Sequence, residues 1–270
     1  MSDALPSTYL FVPGDRPERF AKAIAAGADA VIVDLEDAVA PANKPAARAA
    51  CARLWPGHDG GVPLLVRIND AQSQWFDDDL ALVKSAGITG VMLSKAESAQ
   101  QIERLAAAMP AGGYIVALIE TALGIVNLES IVTAPRVQRL CFGTLDYAVD
   151  LGLSGDERGL LYPSCQMAIA SRVAGIGSPV AGVTTALDDE ARLLADFAFA
   201  RACGFGAKLC IHPRQLAPLQ RALAPTAAEI DWARRVIAAV AGGQAAVQVD
   251  GRMVDRPVLL KAQDILRRTR

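Results

Sequence analysis

The residues best suited to chemistry are charged side chains at the ends of short apolar runs. AVIVDLED finishes on carboxylates, LLVRIN holds an arginine, and IVALIET and LCFGTLDY end near a glutamate and an aspartate. Runs of this kind are typical of buried parallel strands, whose carboxyl ends meet at one edge. One charge there is usually solvated or locally paired, whereas several favour a converged polar site, because unpaired buried charge is costly. The candidates are Asp34, Glu36, Asp37, Arg67, Asn69, Lys95, Glu97, Glu120, Thr121, Asp146 and His212.

Glu120 and Asp146 are the candidates for binding a metal ion. They stand at the ends of consecutive predicted strands, and the chain has only two histidines. Two carboxylates without histidine favour a hard cation with oxygen ligands, so Mg²⁺ is the predicted ion. Such a site keeps several waters, which Glu36 or Asp37 could hold. With Arg67 as a fixed cation, this set suits a reaction that develops an enolate beside a chelated α-keto acid.

A structural role for the same residues stays open at this point. Glu120 and Asp146 could instead form internal ion pairs with Arg67 and Lys95, and the local sequence favours this alternative almost as strongly. His212 precedes a proline at the end of an apolar run, where packing is its default role.

The elements that must position these residues alternate between short apolar runs and longer alanine-rich segments. Eight runs rich in Val, Ile and Leu predict strands over 8–14, 30–37, 63–69, 90–97, 114–121, 139–146, 178–183 and 207–213. The intervening segments predict helices over roughly 16–27, 42–54, 74–86, 97–109, 124–133, 160–174, 186–203 and 214–223. Eight strand–helix repeats are the pattern of a (β/α)₈ TIM barrel, whose chemistry lies at the carboxyl ends of the strands.

The segment after the eighth strand is longer than one closing helix requires. It holds predicted helices over 227–241 and 257–268, with a Gly-Gly break and the stretch VQVDGRMVD between them. We therefore expect an α/β fold with a barrel core over 1–213 and a C-terminal helical extension over 214–270 in the same domain. We expect the extension to pack on a neighbouring subunit through Val258, Leu259, Leu260, Ile265 and Leu266.

Composition and charge narrow the classes of function. The 270 residues carry 27 Lys+Arg and 29 Asp+Glu, a net charge of −2, which gives no electrostatic reason to bind nucleic acid or an anionic membrane. The hydrophobic fraction of 52% excludes a disordered chain. The sequence shows no signal peptide and no run of about 18 apolar residues. Its five cysteines form no C-x-x-C pair, so we expect reduced thiols and a cytoplasmic location.

The segment VPGDRPERFAKA predicts a strand, a turn and a helix with a basic face. Its Arg16, Arg19 and Lys22 could hold a phosphate beside the helix N-terminus. The alternative is an ordinary helix with an exposed basic face.

Eight segments of the chain together resemble the citrate lyase β-subunit-like family of the HpcH/HpaI aldolase/citrate lyase superfamily. The resemblance covers nearly the whole chain in order, and it does not single out one substrate. It implies a Mg²⁺-dependent barrel enzyme, a carbon–carbon lyase that cleaves or forms a bond in a 3-hydroxyacyl thioester. The segments are LFVPGDRPERFAKA, DAVIVDLEDAVAPANKPAAR, LLVRIN, GVMLSKAES, ALIETALGIVNL, RLCFGTLDYAVDLG, GFGAKLCIHPRQ and MVDRPVLLKA.

The resemblance also implies roles for individual residues at the barrel mouth. Glu120 of ALIET and Asp146 of FGTLDY match the family's metal ligands, and Arg67 of VRIN matches its substrate-binding arginine. Glu36 and Asp37 of DLED match an acidic pair near the waters of the metal. Glu120 also counts among the predicted substrate-binding residues.

Further roles implied by the resemblance concern the two ends of the chain. Lys22, and with more variable contacts Arg16 and Lys44, match positions that approach the phosphates of CoA. Asp255 stands in the M-x-D-x-P segment, whose aspartate reaches the neighbouring subunit's site as an acid/base in relatives acting on free CoA thioesters. Its alternative role is to cap the last helix. The resemblance implies a homotrimer or a dimer of trimers.

The implied reaction is a retro-Claisen cleavage of a Mg²⁺-chelated 2-hydroxy acid thioester. Loss of the hydroxyl proton breaks the carbon–carbon bond and gives a 2-oxo acid and a thioester enolate. Arg67 would stabilise the negative charge, and Asp255 would carry the proton to the enolate carbon. The expected substrates are malyl-CoA or citramalyl-CoA, with acetyl-CoA as the second product.

Three other functions remain as alternatives. The chain could be a citrate lyase β-subunit that acts, within a complex, on a citryl group carried by an acyl carrier protein. It could be an aldolase for free 2-oxo acids without CoA. It could also be a barrel that has lost catalysis and serves as a scaffold, but the intact set of Glu120, Asp146 and Arg67 argues against this.

Overall fold

Eight parallel strands close into a barrel, as the sequence predicts. The structure is a computed structural model that describes residues 5–58, 60–155, 157–241 and 247–267. Each strand pairs with the next, and the eighth pairs with the first, Thr8 lying opposite Lys208. The strands are β1 (Thr8–Pro13), β2 (Ala30–Asp34), β3 (Leu64–Ile68), β4 (Gly90–Leu93), β5 (Tyr114–Ile119), β6 (Val137–Phe142), β7 (Gly177–Ala181) and β8 (Ala207–Cys210). The predicted TIM barrel is confirmed.

Alternate side chains of the strands fill the barrel. The interior cluster includes Ile32 of β2 and Leu65 of β3, both fully buried. Side chains two positions apart on a strand point to the same side. Asp34 and Arg67, the next inward positions on these strands, therefore form a polar layer above the apolar one. The barrel is thus a packed core that carries its charged residues at one end.

Most helices follow the predicted segments, with shorter bounds. The first nine are α1 (Phe20–Ile24), α2 (Lys44–Leu54), α3 (Phe76–Ala86), α4 (Ala99–Ala108), α5 (Ala122–Val126), α6 (Leu128–Val132), α7 (Thr144–Asp150), α8 (Arg158–Ala174) and α9 (Glu190–Ala202). Two differences concern the site. The single helix expected over 124–133 is the pair α5 and α6, and α7 replaces the expected end of the sixth strand.

The chain divides into two compact units, residues 1–217 and 218–270, and α10 (Leu216–Leu223) spans the boundary. The second unit contains α11 (Ala227–Ala241), a hairpin of β9 (Val247–Val249) and β10 (Arg252–Val254), and α12 (Arg256–Arg267). Asp250 and Gly251 form the hairpin turn with positive φ, as a two-residue turn of this type requires. That residues 214–270 share a domain with the barrel stays a prediction.

The second unit has its own small core, which uses some of the apolar side chains expected to face a neighbouring subunit. Ala233 and Val236 of α11 pack against Ala262 and Ile265 of α12, and Val258 and Leu266 join the same cluster. Three of the five apolar side chains expected to face a neighbouring subunit are therefore used inside this unit. Leu260 is exposed.

None of the helices that the structure describes combines the length and apolar character needed to cross a bilayer.

Candidate active site

A cavity of about 380 Å³ lies at the carboxyl end of the barrel and brings the predicted residues together. Asp34, Asp37, Arg67, Glu120 and Asp146 all line it, on segments that follow or end four different strands. Apolar side chains complete the wall, among them Phe11, Leu118, Leu209 and Ile211. The sequence predicts this convergence, and the cavity has the mixed polar and apolar lining of a small-molecule site.

Arg67 is held by carboxylates from the segment after β2. Its Nε and one terminal nitrogen donate to the two oxygens of Asp34 at 2.7 and 2.6 Å. The other terminal nitrogen lies 2.7 Å from Oε2 of Glu36 and 3.8 Å from Asp37. The guanidinium also lies over the ring of Phe11, 4.9 Å from its centre. Arg67 is thus a fixed cation, as expected, with a bidentate geometry that only arginine provides.

These contacts answer the alternative role proposed for Arg67. Within the described chain, Arg67 pairs with Asp34 and Glu36 rather than with Glu120 or Asp146. For Arg67, the alternative of internal ion pairs with the two metal candidates is therefore wrong. The reason lies in the register: Asp34 of β2 pairs directly with Arg67 of β3, on the same inward face.

Asp34 organises the acidic segment as well as the arginine. Its oxygens accept from the backbone N–H groups of Glu36 at 2.9 Å and Ala38 at 3.1 Å. The turn after β2 is therefore built around the same carboxylate that holds Arg67. From the sequence alone, Asp34 has no assigned role of its own. Strand alternation is the signal that could have placed its side chain inside the barrel.

Glu36 and Asp37 have different environments although they are neighbours. Glu36 is buried, and burial raises the pKa of its carboxyl to about 7 even though Arg67 opposes the shift. Its Oε2 accepts no well-aligned hydrogen bond within the described chain. The side chain of Asp37 is 65% exposed at the rim. Glu36 is therefore held against Arg67 inside the protein, whereas Asp37 faces solvent.

Glu120 follows β5 and is 2% exposed. Its Oε1 accepts from the backbone N–H of Lys95 at 2.8 Å. Lys95 has φ of 44°, an uncommon conformation for a residue with a side chain, which aims this N–H at the carboxylate. Burial, with the nearby charge of Glu36, raises the pKa of Glu120 to about 8. A cation beside this carboxylate would offset the cost of burying its charge.

Asp146 lies in the first turn of α7, not at the end of the sixth strand. Strand β6 ends at Phe142, and Gly143 turns the chain into the helix. A Cβ on Gly143 would lie 2.5 Å from Oε2 of Glu120, closer than real Cβ contacts. The bare backbone at Gly143 therefore leaves room for the Glu120 carboxylate, while α7 carries Asp146 to the same cavity.

We expect Gly143→Ala to weaken Mg²⁺ binding by at least about tenfold, since displaced or reoriented ligands lose affinity on this scale. Isothermal titration calorimetry measures the change. Gly57→Ala is the matched control, because a Cβ at Gly57 meets nothing within 4 Å. Unchanged Mg²⁺ affinity in Gly143→Ala would show that the carboxylate of Glu120 does not need this space.

The side chains around the cavity fit a Mg²⁺ ion. In the parts of the chain that the structure describes, no group of three or more His, Cys, Asp or Glu side chains is placed to hold a metal ion. Mg²⁺ commonly uses one or two carboxylates and fills its other positions with water and substrate oxygens. Glu120 and Asp146 would supply two such ligands, and Asp37, which also lines the cavity, could hold a metal-bound water.

The residues matched to CoA phosphates lie in different settings. Lys22 on α1 and Arg16 before it are exposed, as a phosphate contact requires. Lys44 is buried, and its ammonium donates to the backbone oxygens of Leu35 and Glu36 and to Oδ1 of Asn69, at 2.6–3.0 Å. The phosphate role expected for Lys44 is therefore wrong, because its three donors are used inside the protein.

The remaining candidates cap helices or turns. The carboxylate of Asp255 accepts from the backbone N–H of Val258 at 3.1 Å at the start of α12, so the capping role is present. The same side chain is exposed. Its acid/base role stays a prediction. Nδ1 of His212 accepts from the backbone N–H of Arg214, so this histidine has a local structural contact. Glu97 accepts from Thr121 and Gln72.

Comparison with known proteins agrees with this architecture. The family model "HpcH/HpaI aldolase/citrate lyase" matches residues 7–213. A citrate lyase subunit beta-like protein of Deinococcus radiodurans is 35% identical over 97% of this chain and 97% of its own. A (3S)-malyl-CoA thioesterase of Cereibacter sphaeroides is 33% identical over 96% of this chain and 93% of its own.

A solved structure is similar along the whole chain. The protein CitE from Mycobacterium tuberculosis, in complex with magnesium, acetoacetate and coenzyme A, is 37% identical and covers 98% of both chains, with a TM-score of 0.86. The family expected from the sequence is thereby confirmed: the chain belongs to the HpcH/HpaI aldolase/citrate lyase family.

Proposed function

We propose that the protein is a Mg²⁺-dependent carbon–carbon lyase that cleaves or forms a 3-hydroxyacyl-CoA thioester such as malyl-CoA or citramalyl-CoA. The products of cleavage are acetyl-CoA and a 2-oxo acid. The observation that carries the proposal is the placement of Glu120, Asp146 and Arg67 around one cavity at the barrel mouth. The CitE complex with magnesium and coenzyme A supports the same metal and substrate class.

Glu120 and Asp146 would hold the metal, and other side chains around the cavity would stabilise charge and exclude water. Bound Mg²⁺ supplies a Lewis acid that favours loss of the hydroxyl proton of the substrate. Arg67, fixed by Asp34 and Glu36, would stabilise negative charge on the substrate as the carbon–carbon bond breaks. Phe11 and Leu118 present apolar surface to the cavity and limit water around the developing enolate.

Release of a 2-oxo acid from a panel of CoA thioesters tests the proposal. We expect malyl-CoA to give glyoxylate, or citramalyl-CoA to give pyruvate, with acetyl-CoA formed in equal amount and the reaction stopped by EDTA. Free CoA without 2-oxo acid would indicate a thioesterase instead. Cleavage only of free 2-oxo acid aldols, or only of a citryl acyl-carrier thioester, would favour the aldolase or the citrate lyase subunit. No turnover of any compound would contradict a catalytic role.

We further propose that Asp255 acts across a subunit boundary in a homotrimer or a dimer of trimers. The support is its exposed carboxylate in the M-x-D-x-P segment of a separate compact unit. There it would carry the proton to the enolate carbon. Because the same carboxylate caps α12, Asp255→Asn is the appropriate variant: asparagine keeps the cap and removes the acid/base.

A mixing experiment tests the shared site. Asp255→Asn and Glu120→Gln chains, each expected to be inactive, are refolded together and assayed. In a symmetric oligomer, random mixing pairs an intact Asp255 with an intact metal site in about a quarter of the sites. We expect that fraction of wild-type activity. A mixture that stays inactive, while wild-type chains refold to active enzyme, would contradict the shared site.

A further inference from the structure

A second cavity lies between the barrel wall and the helices that surround it. Its volume is about 310 Å³, and it is lined by side chains of β6, β7 and β8, of α7, α8 and α9, and of the segments between them. We call this space the helix-side cavity. It shares Thr144, Leu145, Gly182 and Val183 with the barrel-mouth cavity, so these residues separate the two spaces. The metal candidates do not line the helix-side cavity, which is therefore distinct from the candidate active site.

Most charges around the helix-side cavity are paired with one another at its outer side. Arg192 lies 2.8 Å from Glu157 and 2.7 Å from Asp196, and the side chains of Arg192 and Glu157 are 53% and 41% exposed. Asp196 also accepts from the hydroxyl of Thr184 at 2.6 Å. These groups already satisfy each other. They leave the inner part of the cavity to apolar side chains and to one further charge, that of Lys208.

Lys208 brings a buried cation to the inner end of the helix-side cavity. Its neighbours on β8, Ala207 and Leu209, belong to the barrel interior, so strand alternation turns Lys208 outward. Lys208 is 2% exposed, and its ammonium donates to the backbone oxygen of Gly182 at 2.6 Å. In the part of the chain that the structure describes, this is the hydrogen bond that the ammonium makes, and it forms no ion pair.

The charge of Lys208 lacks a close counter-charge. Burial lowers the pKa of Lys208 to about 8, although the charge of Asp196 opposes the shift. The ammonium therefore keeps its proton at neutral pH, at a cost in solvation. An ammonium has three N–H donors, and the carbonyl of Gly182 uses one of them. The other two donors, and the charge, remain for a group inside the cavity.

We infer that the helix-side cavity is a binding site for a small monocarboxylate with an apolar body. The carboxylate would accept from the ammonium of Lys208, and the hydrocarbon part would pack against Leu160, Phe199 and Phe205. A neutral ligand would leave the buried charge without a partner. A polyanion would bring charges that no second buried cation of the lining could pair. The inference does not depend on the lyase reaction, because no candidate catalytic residue lines this cavity.

Calorimetry with butanoate, 4-methylpentanoate and 3-phenylpropanoate tests the inference, and EDTA in the buffer removes metal from the barrel mouth. We expect at least one carboxylate to bind, and its neutral amide to bind at least about tenfold more weakly, because a charge-assisted hydrogen bond is lost. Lys208→Met keeps the apolar stem, removes the ammonium and should weaken the carboxylate to the same extent. Lys84→Met, at an exposed position of α3, is the matched control and should bind as wild type does.

The outcomes separate this cavity from the barrel mouth. Glu120→Gln should bind the carboxylate as wild type does. Loss of binding in Glu120→Gln with retention in Lys208→Met would overturn the inference, whatever the lyase assay shows. Binding of none of the three carboxylates, or equal binding of acid and amide, would also overturn it. If circular dichroism shows that Lys208→Met is unfolded, hydrogen exchange of wild type decides. We expect the carboxylate to slow exchange in α9 and in the residues after β7, and unchanged exchange there would overturn the inference.

Discussion

Glu120→Gln is expected to abolish tight Mg²⁺ binding and to lower kcat/KM by about a thousandfold, because the Lewis acid contributes several kcal/mol to charge stabilisation. Glutamine keeps the shape of the side chain and its acceptor for the Lys95 N–H, so the loss reports the missing charge. Calorimetry with Mg²⁺ and the 2-oxo acid assay measure the two effects separately.

Glu97→Gln is the matched control for this variant. Glu97 also follows a barrel strand and accepts hydrogen bonds from neighbouring side chains, but it does not line the cavity. It should keep both Mg²⁺ affinity and activity. Equal Mg²⁺ affinity in Glu120→Gln and wild type would contradict the assignment of Glu120 as a metal ligand.

Arg67→Lys is expected to lose about 3 kcal/mol of transition-state stabilisation, roughly a hundredfold in kcat/KM. A lysine ammonium is a point charge and cannot hold both oxygens of Asp34 while it also contacts Glu36. The cation would shift away from the position where negative charge develops. Steady-state kinetics should show the loss mainly in kcat, with Mg²⁺ affinity less affected.

Arg48→Lys provides a close control for burial and ion pairing. The side chains of Arg48 and Arg67 are 13% and 12% exposed, and Arg48 also contacts two carboxylates, those of Asp78 and Asp79. It lies between α2 and α3, outside the cavity. Arg48→Lys should lower the thermal midpoint without lowering kcat/KM. If Arg67→Lys retains near-normal kcat/KM, Arg67 has a structural role only.

Much of the barrel was predictable because its signal is local. Each buried parallel strand is a short apolar run. Side chains two positions apart share a face, so the inward positions of Ile32 and Leu65 predict that Asp34 and Arg67 also point inward. The family and the Mg²⁺-dependent lyase reaction followed from motifs distributed along the whole chain, and the comparisons agree with both.

The parts that the sequence did not predict depend on contacts between distant segments. The sixth strand ends at Phe142, and the glycine that follows it, Gly143, leaves space for Glu120 of the neighbouring segment. Lys44 looks like a surface lysine in a basic, alanine-rich helix, yet Asn69 and two carbonyl groups hold its ammonium inside. The partners of Arg67 likewise depend on strand register, which the sequence alone leaves open.

The polar contacts around Lys44 have a consequence for the order of folding. Asn69 accepts a hydrogen bond from Lys44 and donates one to Asp79, which also pairs with Arg48. Together with the pair of Arg67 and Asp34, these contacts all lie within residues 34–79. Pairing of β1 with β8 instead joins residue 8 to residue 208. Loop-closure entropy rises with separation along the chain, so the short-range network is the less costly to form. The part of the site around Asp34 and Arg67 can therefore assemble early, and closure of the barrel then adds the wall that Leu209 and Ile211 form.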